Sequence, residues 1–488
     1  MKKNPIEIIF VATEFAPYAQ YGGLADVIAG LPRVLAQMGH SVSIFLPHYM
    51  QFHTVDEKIT TLYDNLNVPI LNYTRPLKIS RLNTESSVAI YLLHNHDLFS
   101  RQGLYGEDYR DYPDNAERFI FFNKAVLIAI KTLGINCDIL HVHNWQCGLI
   151  PVYLKSNFLN DPFWGNIKTL YTFHNAAYQG LFWHFDMPMT GLPWKLFNPE
   201  QLEYFGKINF HKAGIIFADA FNTVSSTYAK EIRNEPYGAG LEGLFSKFQD
   251  RFRGILNGVD TQIWNPINDR FLPSVFSADA LTAKGNCKTA IMEKAGLPPS
   301  TNLPLLIFPG KFIERKGIEI LRPLIPDLMA RNIPLIIAGR GHPSYEQYFT
   351  EIAAEYPGRL AVILHEETEI LHQLIAGGDI LLMPSKIEPS GLIQMVGQLY
   401  GTLPVAHKTG GLVDSIAPFQ TEDDAESATG FLFEEYSSDA FKQSLDQAID
   451  IWKNHQDLWQ KMIRAAMSQD YSWEKQALQY IDIYHTIL

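Results

Sequence analysis

Gly22-Gly23-Leu24-Ala25-Asp26-Val27-Ile28-Ala29 and Gly410-Gly411-Leu412-Val413-Asp414-Ser415-Ile416-Ala417 lie near opposite ends of a 488-residue chain and read almost alike. Each predicts a glycine turn feeding a helix. Paired glycines let the backbone come close to a ligand, and the unsatisfied N–H groups of a first helical turn favour an anion such as a phosphate. One Gly-Gly-Leu segment is more often an ordinary connection, but two, one per half, point to a ligand held between two similar domains. Outward from the turns, apolar runs recur at Ile6 to Ala12, Ile139 to Val142, Thr169 to Phe173, Leu305 to Phe308, Leu335 to Ala338 and Ile380 to Met383. These read as buried parallel strands. Between them lie helical patterns, the clearest placing Leu24, Val27, Ile28, Leu31, Leu35 and Met38 on one face. The alternation predicts α/β sheets covered by helices, with ligands at the carboxyl ends of strands, where Asn144, His174, Lys311 and Glu388 stand. Asn257 to Pro266 is the expected crossing between the halves.

Composition narrows the class. An apolar content of 47% supports full hydrophobic cores, and 488 residues suit two to four domains. Forty Lys plus Arg against 52 Asp plus Glu leave a net charge of −12 without a long basic run, so nucleic acid is not the expected partner. No apolar stretch reaches the length of a membrane span. The opening Met1-Lys2-Lys3 meets Pro5, Glu7 and Glu14 too early for a signal peptide, which makes a cytoplasmic protein the expectation. Cys137, Cys147 and Cys287 are odd in number and form no CxxC, so reduced thiols are expected rather than a disulfide framework or structural zinc. His141 and His143 point to one side of a strand, but no third ligand stands at convincing spacing; they read as pocket or core residues, and no metal is assigned.

The chain resembles the bacterial glycogen synthases and plant starch synthases nearly end to end. The resemblance rests on Glu14-Phe15-Ala16-Pro17, Arg101-Gln102-Gly103-Leu104-Tyr105-Gly106 with Asp114-Asn115 and Arg118-Phe119, His174-Asn175-Ala176-Ala177-Tyr178-Gln179-Gly180, and Ile255-Leu256-Asn257-Gly258-Val259-Asp260. Further on it includes Lys316-Gly317, Met383-Pro384-Ser385, Glu388-Pro389-Ser390-Gly391-Leu392, Gly401-Thr402-Leu403-Pro404 and Thr409-Gly410-Gly411-Leu412. It implies the GT-B arrangement of two Rossmann-like domains facing a deep cleft: an acceptor-side domain over 1–256, a nucleotide-sugar domain over 257–466, and a terminal helix over 467–488 that crosses back to the first. The Trp473, Ala477, Tyr480, Tyr484 stripe belongs to that helix, and by itself reads simply as a packed face. The implied reaction is transfer of glucose, with retention, from ADP-glucose or UDP-glucose to the non-reducing end of an α-1,4-glucan. No cofactor is implied, because cations and helix N-termini stabilise the leaving diphosphate.

Residue by residue, the resemblance makes Glu388, His174 and Lys316 catalytic. Lys316 and Lys311 are the cations; alone, a Lys-Gly pair after a strand reads as a solvated turn. Glu388 serves the donor glucose, although an acid there also suits a helix N-terminus. His174 lines the glucose pocket, a place a satisfied structural histidine fills equally well. Gly22, Gly23, Asp26, Asn144, Asn257, Gly391, Leu392, Thr409, Gly410 and Gly411 complete the substrate contacts, with Asp26 directed to a sugar hydroxyl or the glycine loop because like charges repel at a phosphate. Six residues at four sites depart from the pattern. Gln20 and Tyr21 stand where a lysine and a small residue are implied, Lys311 replaces an arginine, Asn144 replaces an aspartate, and Lys386-Ile387 replaces Arg-Phe. These departures keep open a weakly active or non-catalytic relative that binds glucan or sugar nucleotide as a scaffold or regulator.

Overall fold

A computed structural model describes residues 5–107, 109–364 and 367–488; the Met1-Lys2-Lys3 run lies outside the described residues. The chain forms two compact units, Met1–Gly258 with Trp473–Leu488, and Val259–Ser472. The divisions fall at 258/259 and 472/473, against 256/257 and 466/467 read from the sequence. No helix of the described residues is long and apolar enough to cross a membrane.

Strands of the two main sheets are numbered here in chain order. In the first unit these are β1 (Glu7–Val11), β2 (Ser41–Pro47), β3 (Ile59–Ile70), β4 (Tyr73–Leu82), β5 (Ala89–His94), β6 (Ile139–His143), β7 (Lys168–Phe173), β8 (Ala220–Thr223) and β9 (Phe252–Gly254). They lie in the order β9-β8-β7-β6-β1-β2-β5-β4-β3. The apolar runs form its parallel centre, where Phe10 of β1 stands between Ile44 of β2 and His141 of β6. Such strands are covered on both faces, which is why Ile8, Ile9, Phe10 and Val11 read as a continuous run and are buried. The antiparallel ribbon β3–β4 at the sheet's edge was not legible as a strand pair; β3 is largely exposed and offers no apolar run.

The second unit holds β10 (Leu306–Pro309), β11 (Leu335–Ala338), β12 (Leu360–Ile363), β13 (Ile380–Met383), β14 (Leu403–His407) and β15 (Phe431–Phe433), in the order β12-β11-β10-β13-β14-β15 and parallel throughout. In each sheet the winding reverses beside the first strand, between β1 and β6 and between β10 and β13. Such switch points open a crevice at the strands' carboxyl ends, the usual ligand position of open α/β sheets.

The two glycine turns differ in structure. Helix α1 (Leu24–Gln37) starts after the glycines, with Gly23 as its N-cap. Helix α2 (Gly410–Ser415) starts at Gly410 itself, with Thr409 as N-cap, and lasts only 6 residues, so its glycines lie inside the first turn. Helix α3 (Trp473–Ile487) turns Trp473, Ala477, Tyr480 and Tyr484 into the first unit, where Trp473 packs against Gly30 of α1.

Candidate active site

In the second unit the switch point gathers the loops that follow β10 and β13. Gly317 makes their approach possible. It has φ +79°, and a Cβ there would fall 1.8 Å from the Pro384 carbonyl oxygen, so only glycine lets the Lys316 loop lie on Pro384-Ser385. Lys386 N–H then donates to the Arg315 carbonyl at 2.8 Å. The result is a close ion pair: Lys316 Nζ donates to Glu388 Oε2 at 2.5 Å, and Ser385 Oγ donates to the same oxygen at 3.0 Å. Glu388 is only 6% exposed. Burial alone would raise its pKa, but the charges of Lys316 and Arg315, with the hydrogen bonds from Lys316 and Ser385, hold it below the ordinary carboxylate range. A buried anion thus stands beside an ammonium that has two further N–H donors to offer.

The backbone around Glu388 is fixed from the other side by the second glycine turn. Gly411 N–H donates to the Glu388 carbonyl at 3.0 Å. A Cβ on Gly410 would lie 2.2 Å from that carbonyl oxygen, and one on Gly411 2.0 Å from the carbonyl of Ser390. Here the paired glycines serve close backbone packing. Gly391 (φ +67°) follows, Gln394 Nε2 donates to the Ser390 carbonyl at 3.0 Å, and His407 Nδ1 donates to the Ser385 carbonyl at 2.9 Å. The structure therefore brings Lys316, Glu388, Gly391, Leu392, Thr409, Gly410 and Gly411 into one neighbourhood. Lys311 sits two residues beyond β10 on the same loop.

In the first unit the glycine turn is built differently. Cβ atoms on Gly22 and Gly23 would meet nothing within 4 Å. The buried carboxylate of Glu14, just past β1, accepts the N–H groups of Tyr21 (3.0 Å) and Gly22 (2.7 Å) through Oε2, and the hydroxyl of Tyr105 (3.0 Å) through Oε1. The Tyr21 and Gly22 amides are thus taken by a side chain. Asp26 is half-buried in the first turn of α1, and Gln20 is exposed. Glu14 and Tyr105 were missed as site residues although both stand in quoted motifs; only their distant pairing, across 91 positions, gives them a role.

Asn144 and His174 are brought together. Asn144 has φ +58° and its Oδ1 accepts the His174 N–H at 2.9 Å, fixing the ends of β6 and β7 to each other. His174 Nε2 lies 3.4 Å from His143 Nδ1. His141, two residues deeper on the same strand, is satisfied by Tyr484 OH (2.8 Å) on α3 and Thr172 Oγ1 (2.6 Å). Burial lowers His174 to about 4 and His141 and His143 well below their usual value, so all three rings are neutral at pH 7. Between the two readings left open, His141 and His143 are core. Asn257 is buried at the end of the first unit. The three cysteines are free thiols.

Residues 7–247 match the starch synthase catalytic domain, and residues 291–466 match the glycosyl transferases group 1 domain. The chain is 38% identical over 483 residues to the glycogen synthase of Anaeromyxobacter dehalogenans, covering 99% of this chain and 100% of that one. It is 35% identical over 487 residues to the glycogen synthase of Bacillus cereus, covering 99% and 100%. Among solved structures it superposes at a TM-score of 0.91 and 28% identity, over 99% of both chains, on the catalytic domain of starch synthase IV from Arabidopsis thaliana bound to ADP and acarbose. Sucrose-phosphate synthase from Thermosynechococcus elongatus shares the fold, with a TM-score of 0.60 at 18% identity over 99% of both chains. Two sheets with parallel centres, two switch points and full-length likeness lead to one conclusion: the chain belongs to the glycogen synthase and starch synthase family of GT-B glycosyltransferases.

Proposed function

We propose that the protein extends α-1,4-glucan by transferring glucose from ADP-glucose to the 4-hydroxyl at a non-reducing end, with retention at the anomeric carbon. The observation that carries this reading is the Lys316–Glu388 pair, a buried anion and a cation sharing one oxygen at 2.5 Å on the switch point of the second sheet. In the reaction the bond from glucose C1 to the diphosphate oxygen breaks and the bond from C1 to the acceptor O4 forms. The acceptor's hydroxyl proton leaves with the diphosphate.

In this reading Lys316 turns its remaining donors to the departing diphosphate, helped by Lys311, while Glu388 offsets positive charge growing on the glucose ring. Backbone N–H groups of Gly391 and Leu392 and of the Thr409-Gly410-Gly411 turn hold the donor. The second unit is the nucleotide-sugar side and the first the acceptor side, where neutral His174 contacts a glucose hydroxyl and Gly22, Gly23, Asp26 and Asn257 complete the contacts. Gln20 and Asn144 had favoured a non-catalytic binding protein. Asn144 bears on that alternative less than its sequence departure suggests: holding the His174 N–H needs an acceptor oxygen, which an amide supplies as well as a carboxylate.

The test is incorporation of labelled glucose into a maltooligosaccharide primer, with ADP-glucose and UDP-glucose side by side and the new linkage read by NMR. Faster transfer from ADP-glucose into an α-1,4 linkage is expected. No transfer from either donor sinks the reading and leaves a glucan- or nucleotide-binding scaffold.

A further inference from the structure

His48-Tyr49-Met50-Gln51-Phe52-His53-Thr54-Val55-Asp56 follows β2 and takes no part in the site above. His48 N–H donates to the Leu93 carbonyl at 2.9 Å, which anchors this residue between the carboxyl ends of β2 and β5. The chain then runs through 3-10 turns over Met50–Lys58. These turns kink at Val55, where the backbone leaves the helical region (φ −135°, ψ 27°), and across that kink His53 Nδ1 lies 3.1 Å from Asp56 Oδ2. One ligand atom from each of His48, His53 and Asp56 falls within 4.8 Å of the others, a grouping that His-x4-His-x2-Asp spacing in the sequence would have disclosed.

The surroundings of His48 favour a ligand. The residue is 5% exposed, and its ring stacks on His94 at 3.8 Å and on Phe52 at 5.8 Å and meets His53 edge-on at 5.2 Å. Its Nε2 is buried with no hydrogen-bond partner. A buried polar atom left so costs about 1–3 kcal/mol, and in native structures a bound water or ion is a common partner for it. The aromatic wall makes the site poorly hydrated on one side. On the other, the His53 and Asp56 side chains are 49% and 60% exposed, giving an ion a way in. Lys78, near His48 and His94, opposes a cation, and Asp56 offsets it.

We propose that His48, His53 and Asp56 bind a divalent transition-metal ion of the zinc class, with water completing the coordination, and so tie the Met50–Lys58 turns to the end of β2. Two imidazoles and one carboxylate suit Zn²⁺, Co²⁺, Ni²⁺ or Cu²⁺ and are a poor set for Mg²⁺ or Ca²⁺, which take oxygen ligands. Tetrahedral zinc with bonds of about 2.0–2.1 Å holds neighbouring ligand atoms about 3.3 Å apart. The His53–Asp56 spacing already matches this, and the remaining closure falls on two exposed side chains free to turn.

The test uses the full chain after chelator treatment, titrated with Zn²⁺ by calorimetry and with Co²⁺ by its visible tetrahedral absorption. One ion per chain is expected. His53→Ala and Asp56→Ala should each weaken binding by more than the roughly 10–100-fold that loss of an outer-shell partner costs, while His94→Ala, which removes only the wall, should cost less. His48→Ala should abolish the Co²⁺ spectrum; if that buried change impairs folding, the two exposed variants decide alone. Absence of a tetrahedral Co²⁺ signal, or binding that is unchanged in both His53→Ala and Asp56→Ala, would overturn the assignment.

Discussion

The two halves of the Lys316–Glu388 pair are not equally buried, and this separates their contributions. Side-chain exposure is 23% for Lys316 and 7% for Glu388. In Glu388→Ala the lysine turns to water, so the fold should keep its unfolding temperature within a few degrees while transfer falls at least about a hundredfold, the scale of losing one charge-stabilising group. In Lys316→Ala the carboxylate stays buried with Arg315 as the remaining nearby charge, and stability should fall as well, by up to about 3–5 kcal/mol. Thermal unfolding and turnover measured on both variants check the pair. Equal destabilisation by both, or near-normal turnover in Glu388→Ala, would remove the asymmetry and the role. At this scale the sequence told much about the second unit, because Lys316 and Glu388 sit in short local motifs. It told less about the first, where Glu14 acquires its meaning only by meeting Tyr105 and the Gly22 amide.

Elements show the same division between local and long-range information. The parallel strands were legible because burial on both faces leaves an unbroken apolar run, and Leu335–Ala338 and Ile380–Met383 fall where that rule puts them. Ribbon β3–β4 was not, since a half-exposed antiparallel edge carries no such run. The two glycine turns misled in a different way: identical letters meet open space at Gly22 and a neighbouring backbone at Gly410. Gly30 gives a further case. It reads as a mid-helix weakness in α1, but a Cβ there would lie 2.2 Å from Trp473 Nε1, so glycine is what lets α3 dock. Gly30→Ala should raise intrinsic helix propensity and still destabilise the first unit, by about 1–3 kcal/mol for an overpacked contact. Denaturant unfolding checks it, with Trp473→Leu as the partner change that should recover part of the loss. A stabilised Gly30→Ala protein would show that α3 does not pack on α1 in this way.

Across the whole molecule, the first unit carries a set of buried or half-buried histidines held neutral. Burial brings His174 to about 4 and His211 to about 3, and places His141 and His143 lower than usual for the same reason. Unfolded, each titrates near 6.5. Above pH 6.5 both states are neutral and the full stability is present. As the pH falls below 6.5 the unfolded chain takes up protons that the folded one refuses, and stability declines until the folded rings protonate near pH 4 and below. The loss from His174 alone is on the order of 3 kcal/mol by pH 4, a large part of the about 5–15 kcal/mol of stability that a domain has, and its neighbours act in the same direction. Among the described residues the second unit has fewer such rings, His372 and His407, each with a hydrogen bond that opposes the shift. Acid should therefore open the first unit before the second. Hydrogen exchange by mass spectrometry between pH 7 and pH 4, corrected for the intrinsic rate, should show peptides of β6 and β7 losing protection at a higher pH than peptides of β10 and β13. His211→Asn supplies the control that a merely weakened fold cannot imitate. It costs stability at pH 7 through the lost contact of His211 Nδ1 with the Tyr171 hydroxyl at 2.7 Å, yet it removes one titrating group, so the slope of stability against pH between 6.5 and 4 must become shallower. An unaltered slope would mean that buried imidazoles do not set the acid limit of this unit.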